Sequence, residues 1–225
     1  MARFSAIPAI TATLLTFILI GPSSAAEVTP ERLVNADKEP QNWLMNHRTY
    51  EAQRYSPLDK INKNSIKSLK LAYAVAIGGT SANENLESTP LAEDGYLYVV
   101  DQWGVVYKID GRSGDMGRIV WRMDPGQERT PLANRGAALW GNFVVTVANY
   151  PARVIATDKE TGKVTWEANL SDGQADLQLT AAPLSVKDKI IIGAAVSARS
   201  DWPSPILVSQ ATLPVSLLVA MTRAG

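Results

Sequence analysis

The sequence predicts an all-β protein, a partial β-propeller of about two and a half four-stranded blades. Three stretches with the same residue pattern support this prediction. Each opens with small residues and a leucine, crosses a turn, and enters a strand rich in β-branched and aromatic residues. The leucines at matching positions are Leu91, Leu139 and Leu184, separated by 48 and 45 residues. A repeat of this length with four strands per unit is typical of a propeller blade.

The strands can be assigned in chain order. Leu71–Ile77 is predicted to form an outer strand, the first blade spans Ser88–Met123, and the second spans Gly136–Asn169. Thr180–Ala195 supplies only the first two strands of a third blade. Because a closed ring needs about four to eight blades, the strand count predicts an open fragment. Its exposed sheet edges are expected to favour self-association.

One kind of turn joins the first two strands of each repeat. Asp94-Gly95, Gly141-Asn142 and Lys187-Asp188 fall at similar points between β-rich runs. Asp-Gly and Gly-Asn are hairpin sequences, so these pairs support the strand assignment.

A second kind of turn precedes the last strand of each complete blade. Asp110 and Asp158 begin turns that end in Gly114 and Gly162, and a short strand closed by a tryptophan follows each turn. The aspartates are expected to accept hydrogen bonds from their own backbone, and the glycines to supply positive φ. The tryptophans, Trp121 and Trp166, are 45 residues apart, and we expect each to dock against the next repeat.

Residues 1–26 are predicted to be a secretory signal peptide. Arg3 precedes an apolar run from about residue 6 to residue 20, and Ser24-Ala25-Ala26 provides small residues for cleavage after Ala26. An uncleaved membrane anchor is the alternative, but the run is shorter than the ~20 residues that a span needs. We therefore expect an exported, periplasmic protein with no membrane span.

Residues 27–70 are predicted to form an extended segment before the propeller. Helix is expected only over Ser56–Lys70, with Asn62 or Asn64 as the N-cap. The incomplete propeller then occupies residues 71–195, and residues 196–225 form a tail in which the blade pattern is lost.

Composition narrows the possible functions. The 22 basic and 22 acidic side chains balance, which gives no electrostatic reason to expect nucleic acid or an anionic membrane as a partner. The chain has no cysteine, so it cannot form disulfides, use thiol catalysis, build cysteine metal sites or carry a lipid on an N-terminal cysteine.

Three residues are candidates for ligand binding because they fall at the inner edges of successive repeats. Glu87 precedes the first blade and would point toward the propeller axis, unless it is only an exposed loop acid. Arg135 would hold a carboxylate or phosphate bidentately, beside Gly136, which allows a close approach; the alternative is a salt bridge to a neighbouring blade. The hydroxyl of Thr180 could donate to the same ligand or satisfy a strand edge. His47, the lone histidine, is expected to make a surface or inter-segment contact.

Taken together, these motifs resemble the N-terminal part of the quinoprotein alcohol dehydrogenases. The resemblance covers about residues 31 to 195, in order, and rests on "NWLMNHRTYEAQRYSPLDKINKNSIKSLKLAYAV", "ESTPL…GYLYVVD", "NRGAALWG", "ATDKETGKVTW" and "AAPLSVKDKIIIGAA". It implies an eight-bladed propeller enzyme of the methanol and ethanol dehydrogenase type. Such enzymes are exported, use pyrroloquinoline quinone (PQQ) with Ca²⁺ or a lanthanide, and pass electrons to a cytochrome c or a quinone.

The resemblance also implies roles for the three candidates. Glu87 matches the acid that contacts PQQ, Arg135 the arginine that contacts the quinone and its carboxylates, and Thr180 the threonine at the cofactor's edge. PQQ is a planar tricarboxylate, so an arginine and hydroxyl donors suit it.

Two parts of the chain depart from the family pattern. Arg129 and Thr130 stand where many members have adjacent cysteines that form a disulfide ring against PQQ. Counting from Pro183, the metal-binding acid of the family falls at Ala198, and alanine has no side-chain oxygen to offer a hard cation. The remaining metal ligands, the tryptophan under PQQ and the catalytic base of the family lie in later blades.

These departures predict a truncated fragment that does not oxidise alcohols by itself. An interrupted reading frame near Ala195 would explain the tail, and a natural short paralogue is the alternative. A different function also stays open, that of a non-catalytic periplasmic propeller module for binding or assembly.

Overall fold

The computed structural model describes residues 26–78, 85–128, 133–171, 177–196 and 216–223 of the chain. Two four-stranded antiparallel sheets, each a meander in chain order, form its centre. The first sheet contains β1 (Leu91–Glu93), β2 (Tyr96–Val100), β3 (Val106–Asp110) and β4 (Arg118–Met123). The second contains β5 (Ala138–Trp140), β6 (Phe143–Ala148), β7 (Arg153–Asp158) and β8 (Val164–Asn169). The two complete blades predicted from the repeat are confirmed.

The third sheet is built differently from the first two. Its strands are β9 (Leu177–Gln178), β10 (Leu184–Val186), β11 (Lys189–Val196) and β12 (Ser216–Arg223). The antiparallel pair of β10 and β11 is the half blade expected from the sequence. β9 also pairs antiparallel with β11, whereas β12 runs parallel to it along its whole length. The tail therefore adds a strand, but not in the meander order of a blade.

The predicted turns have the backbone that their residues favour. Asp94 and Gly95 have φ of 50° and 81°, and Gly141 and Lys187 also have positive φ. Glycine and aspartate reach this region at low cost, which explains the tight hairpins between the first two strands of each sheet.

The turns before the outer strands are also confirmed. The Asp110 carboxylate accepts from the backbone N–H of Arg112, and the Asp158 carboxylate accepts from the N–H of Thr161 at 2.7 Å. Gly114 and Gly162 have φ of 76° and 71°. Both aspartates thus fix the turn that returns the chain into the last strand of its blade.

Two local predictions were wrong. Leu71–Ile77 forms no strand; it has no ladder partner in the described residues, and Val75 and Ile77 instead pack by their side chains on the first sheet. The helix expected over residues 56–70 is a single 3₁₀ turn, Ile66–Ser68, capped by Ser65 without a side-chain bond. Local side-chain bonds explain the second result, because Asn62 Oδ1 accepts from two backbone N–H groups in a turn that competes with a longer helix.

The N-terminal segment contains helix that the sequence analysis missed. Helix α1, Pro30–Val34, has a proline in its first turn, and the Thr29 hydroxyl accepts from a backbone N–H as the N-cap. A second 3₁₀ turn follows at Ala36–Lys38. Isolated bridges join Val28 to Gly141 and Trp43 to Ala92, so this segment is tied to both complete blades.

The apolar core lies between neighbouring sheets. One cluster joins the first two sheets and the N-terminal segment, and includes Leu33, Val106, Leu139 and Ile155. A second cluster joins the second sheet to the third through residues such as Ile190. Each sheet therefore buries its faces against its neighbours, as blades of a propeller do.

Candidate functional site

The Asn-Arg-Gly motif forms a rigid loop before β5. The Asn134 side chain is 2% exposed, donates to the carbonyl of Val147 at 3.1 Å, and accepts from the N–H of Gly136 at 3.0 Å. Gly136 has φ of 124°, a region that residues with a Cβ rarely adopt. Position 136 therefore requires glycine because of its backbone conformation. Lack of space is not the reason, since a Cβ there would lie at ordinary contact distances from Ser88 and Thr89. Between these two anchors, Arg135 turns its side chain outward.

The structure brings Glu87 and Arg135 together. Arg135 Nη2 lies 3.5 Å from Glu87 Oε2, and the two side chains are 51% and 40% exposed. The alternative expected for Arg135, a salt bridge, is thus present, with Glu87 as the partner. At 3.5 Å the pair is longer than a strong charge-assisted hydrogen bond, so the guanidinium retains N–H groups for another anion.

Thr180 joins the same place through its backbone. Its carbonyl accepts from the Arg135 N–H at 3.1 Å and from Arg135 Nη1 at 3.4 Å. The side chain of Thr180 is half-buried, and the neighbouring residues Ala181 and Ala182, rather than Thr180, line the cavity described next. Residues from the starts of all three repeats therefore meet at Arg135, with Thr180 orienting the guanidinium.

A cavity of about 370 Å³ opens beside this pair. Its wall includes Glu87, Arg135, and three residues of the N-terminal segment that the sequence analysis did not assign to a ligand site: Asn46, His47 and Arg54. His47 makes a surface contact, one of the two alternatives expected of it, since it is exposed and its Nδ1 accepts from Arg54 Nε of the same segment at 2.9 Å. Sequence spacing could not reveal this wall, because the N-terminal segment belongs to no repeat.

The donor set of the cavity suits a polycarboxylate. Two guanidinium groups face one carboxylate, so the site carries an excess of positive charge, and arginine forks match carboxylate oxygens. No group of three or more histidine, aspartate or glutamate side chains that could hold a metal occurs in the described residues. Ala198, at the expected metal-binding position, and the cysteine-replacing Arg129 and Thr130 lie outside the described residues.

A larger groove of about 920 Å³ lies elsewhere, and none of the predicted site residues lines it. Its walls come from α1 and the β5–β6 hairpin, where the rings of Trp140 and Phe143 stack with centroids 6.4 Å apart. Size alone therefore does not mark the functional site; the converging charged residues do.

Successive four-stranded antiparallel meanders that pack against one another define a class, the β-propeller domains. A family model described as "Glucose/ethanol/alcohol dehydrogenase, beta-propeller domain", with the short name PQQ, matches residues 43–206. The chain belongs to this family of PQQ dehydrogenase propellers.

Individual relatives agree with this assignment. The chain is 35% identical over 181 residues to the dehydrogenase subunit of a quinone-type alcohol dehydrogenase from Komagataeibacter europaeus, covering 73% of this chain and 23% of that protein. It is 31% identical to "Methanol dehydrogenase [cytochrome c] subunit 1" of Methylobacterium organophilum, over 80% of this chain and 30% of that one. The solved quinohemoprotein alcohol dehydrogenase ADHIIG of Pseudomonas putida HK5 superposes with a TM-score of 0.67 at 32% identity, over 76% of this chain and 25% of that chain.

The chain thus spans about a quarter of the length of these relatives. Within the described residues, no helix is long and apolar enough to cross a membrane.

Proposed function

We propose that this chain is a PQQ-binding portion of a periplasmic alcohol dehydrogenase, with Arg135 as its principal cofactor-binding residue. The observation that carries the proposal is that Glu87 and Arg135 line one cavity while the Thr180 carbonyl accepts from the Arg135 guanidinium, in a chain of this family. A non-catalytic propeller scaffold would not require these three residue types at the inner ends of three successive repeats.

Each residue has a separate task in this proposal. The Arg135 fork binds a carboxylate of PQQ, and the Thr180 carbonyl holds that fork in place. Glu87 pairs with Arg135 in the free protein, and a carboxylate of PQQ would take its place as the arginine's partner. When bound, PQQ itself supplies the redox chemistry that oxidises the alcohol, while the protein supplies binding and orientation.

We further propose that these 225 residues alone do not turn over an alcohol. The family's metal, Ca²⁺ or a lanthanide, needs oxygen ligands, and Ala198 offers none at the position where the family has an acid. A cofactor bound without its metal lacks the Lewis acid that assists the reaction. We therefore expect this chain to bind PQQ but to have no alcohol dehydrogenase activity.

The cellular setting follows from the same proposal. Residues 1–26 direct export, so the cofactor is bound in the periplasm. The electron acceptor of the complete enzyme type is a cytochrome c or a quinone, in keeping with the cytochrome and quinone named for the relatives.

Reconstitution tests the proposal. The purified chain is mixed with PQQ, passed through a gel-filtration column, and examined by absorbance for cofactor that elutes with the protein. Retention by the wild type and its loss in Arg135→Gln is the expected result. A dye-linked assay with an alcohol, PQQ, and Ca²⁺ or a lanthanide should show no protein-dependent dye reduction. Wild-type protein that retains no PQQ contradicts the binding claim, and alcohol-dependent dye reduction contradicts the claim of inactivity.

The second candidate function is a module for binding or assembly without catalysis. One observation favours it: the indole N–H of Trp166 is buried and has no acceptor in the described residues. Under this function the chain associates with a second copy or another protein through its open third sheet. Gel filtration over a range of concentrations checks self-association, and a single monomeric peak throughout would remove it.

A further inference from the structure

Arg54 lies in the N-terminal segment, on the wall of the cavity that also contains Arg135. Its guanidinium is held at two points, by His47 Nδ1, which accepts from Nε at 2.9 Å, and by Asn46 Oδ1, which accepts from Nη2 at 3.1 Å. These two hydrogen bonds fix the direction of an arginine side chain that would otherwise be flexible in solution. The arrangement orders an exposed arginine beside a cavity, which costs side-chain entropy and calls for a reason.

The hydrogen-bond inventory of Arg54 leaves donors unused. A guanidinium has five N–H groups, and the two contacts above use one on Nε and one on Nη2. Neither acceptor, a histidine ring nitrogen and an amide oxygen, carries a negative charge. No salt bridge among the described residues involves Arg54, whereas Arg135 already has Glu87. Arg54 is therefore a positioned cation whose charge is not balanced within its own site.

The amide of Asn46 links Arg54 to the motif of the second blade. Asn46 Oδ1 accepts from Arg54, and Asn46 Nδ2 donates to the backbone carbonyl of Arg135 at 3.3 Å. One side chain thus couples the two arginine-bearing loops. The backbone of the N-terminal loop is also unusual, because Arg48, Ala52 and Arg54 all have positive φ, at 69°, 56° and 52°. A non-glycine residue is unfavourable in this region, so packing and hydrogen bonds must hold the loop in this shape.

We propose that Arg54 is a second carboxylate-binding residue of the cavity, positioned by His47 and Asn46. It binds a carboxylate of the same polycarboxylate ligand that Arg135 holds from the other loop. This inference rests on the proposed function, since PQQ supplies more than one carboxylate to a single site. Two forks from separate loops would fix the plane of the ligand as well as its affinity.

Isothermal titration of the full chain with PQQ tests the role of Arg54. Arg54→Gln is expected to weaken binding about tenfold, which corresponds to about 1.4 kcal/mol. Arg54→Lys should recover part of the loss, because it keeps the charge but not the fork. The affinity of Arg54→Gln should also fall less steeply with added salt than that of the wild type. Arg122→Gln, which removes an exposed arginine outside the cavity, is the control and should bind as the wild type does.

The trimethyl ester of PQQ separates carboxylate binding from a structural role. The ester keeps the ring system and lacks the carboxylate charges, so wild type and Arg54→Gln should bind it equally weakly. Equal PQQ affinities of wild type and Arg54→Gln would overturn the inference, and so would an equal difference between the two proteins for PQQ and for its ester. If the wild type binds PQQ no better than its ester, the proposed function itself fails. Because both hydrogen bonds of Arg54 are solvent-exposed, its replacement should lower the midpoint of thermal unfolding only slightly, and a large fall would instead indicate a structural role.

Discussion

The interface between the first and second sheets and the interface between the second and third sheets use the same tryptophan motif with different results. At the first, the Trp121 indole donates to the carbonyl of Lys159 at 2.9 Å and packs on Gly162. At the second, the Trp166 indole N–H is buried with no acceptor in the described residues. The inner part of the second interface is nevertheless well made, since the Asn149 amide both donates to and accepts from the backbone of Leu179.

The two interfaces also differ in buried charge. At the first, the Glu93 carboxylate is fully buried and accepts from Arg32 and from Lys159, each at 2.8 Å. Lys108 donates to the Lys159 carbonyl beneath the ring of Tyr96, and burial lowers the pKa of this lysine.

The acceptor of the Trp121 indole lies in the Asp-turn-Gly unit of the following blade. A docking tryptophan therefore needs that unit to complete its hydrogen bond. That unit lies 38 residues after Trp121; the same offset from Trp166 reaches Ser204, outside the described residues.

The largest expected effect is at the buried carboxylate of the first interface. Glu93→Gln removes the charge that Arg32 and Lys159 both contact; Arg32 keeps Glu39 as a partner, whereas the buried Lys159 loses its anion. Breaking a buried pair in this way is expected to lower the free energy of unfolding by about 3–5 kcal/mol. Glu160→Gln, at an acid that is 45% exposed, is the control and should cost less than about 1 kcal/mol. Urea unfolding measures both, and equal effects of the two changes would contradict the role given to burial.

The next prediction compares the equivalent turn glycines of the two complete blades. Gly162→Ala places a Cβ 2.7 Å from Trp121 Cγ and at positive φ, whereas a Cβ at Gly114 meets nothing within 4 Å. Gly114→Ala should therefore cost only the backbone strain of about 1–2 kcal/mol, and Gly162→Ala about 3 kcal/mol, since the tryptophan must also move. Thermal or urea unfolding gives the difference. If both substitutions are equally costly, Trp121 does not dock on Gly162.

A smaller effect should distinguish the two tryptophans directly. Trp121→Phe keeps an aromatic ring and loses the bond to the Lys159 carbonyl, at a cost of about 1–2 kcal/mol. Trp166→Phe loses an N–H that has no acceptor in the described residues, so we expect little change or a slight gain in stability. A loss at Trp166 as large as that at Trp121 would show that the second interface is completed as the first one is.

The smallest effect concerns acid stability at the N-terminal segment. Hydrogen bonds from Arg32 lower the pKa of the Glu39 carboxyl below its usual 4.5. Since the folded state binds a proton here less readily than the unfolded chain does, this contribution is complete above pH 4.5 and is lost as the pH falls through the lowered pKa. Glu39→Gln should reduce stability by no more than about 1 kcal/mol at pH 7 and less at pH 3. Urea unfolding at the two pH values checks the sign, and a larger loss at pH 3 would contradict it.

The sequence could predict the repeated part of this fold because its cues are local. Paired turn residues, strand composition and a fixed spacing specified both complete blades and the hairpin of β10 and β11. The non-repeating parts depended on long-range contacts. The composition of Leu71–Ile77 predicts a strand, but the segment packs on the first sheet by its side chains. Helix α1 was not predicted, although Thr29 and Pro30 are good helix-start residues.

The candidate site shows the same division. Glu87, Arg135 and Thr180 were found from their places in the repeats, and the structure brings the first two together as an ion pair. The contribution of Thr180 through its carbonyl could not be read from its side chain. Arg54 lines the cavity from a loop in which three non-glycine residues have positive φ, and no spacing rule predicts such a backbone.

The central claim is that Arg135 retains the family's affinity for the cofactor in this chain. Its most direct test is isothermal titration of PQQ into wild type, Arg135→Gln and the control Arg122→Gln. We expect saturable binding by wild type and control at equal affinity, and a loss of about tenfold or more in Arg135→Gln. Equal binding by all three proteins, or no saturable binding by the wild type, would contradict the claim.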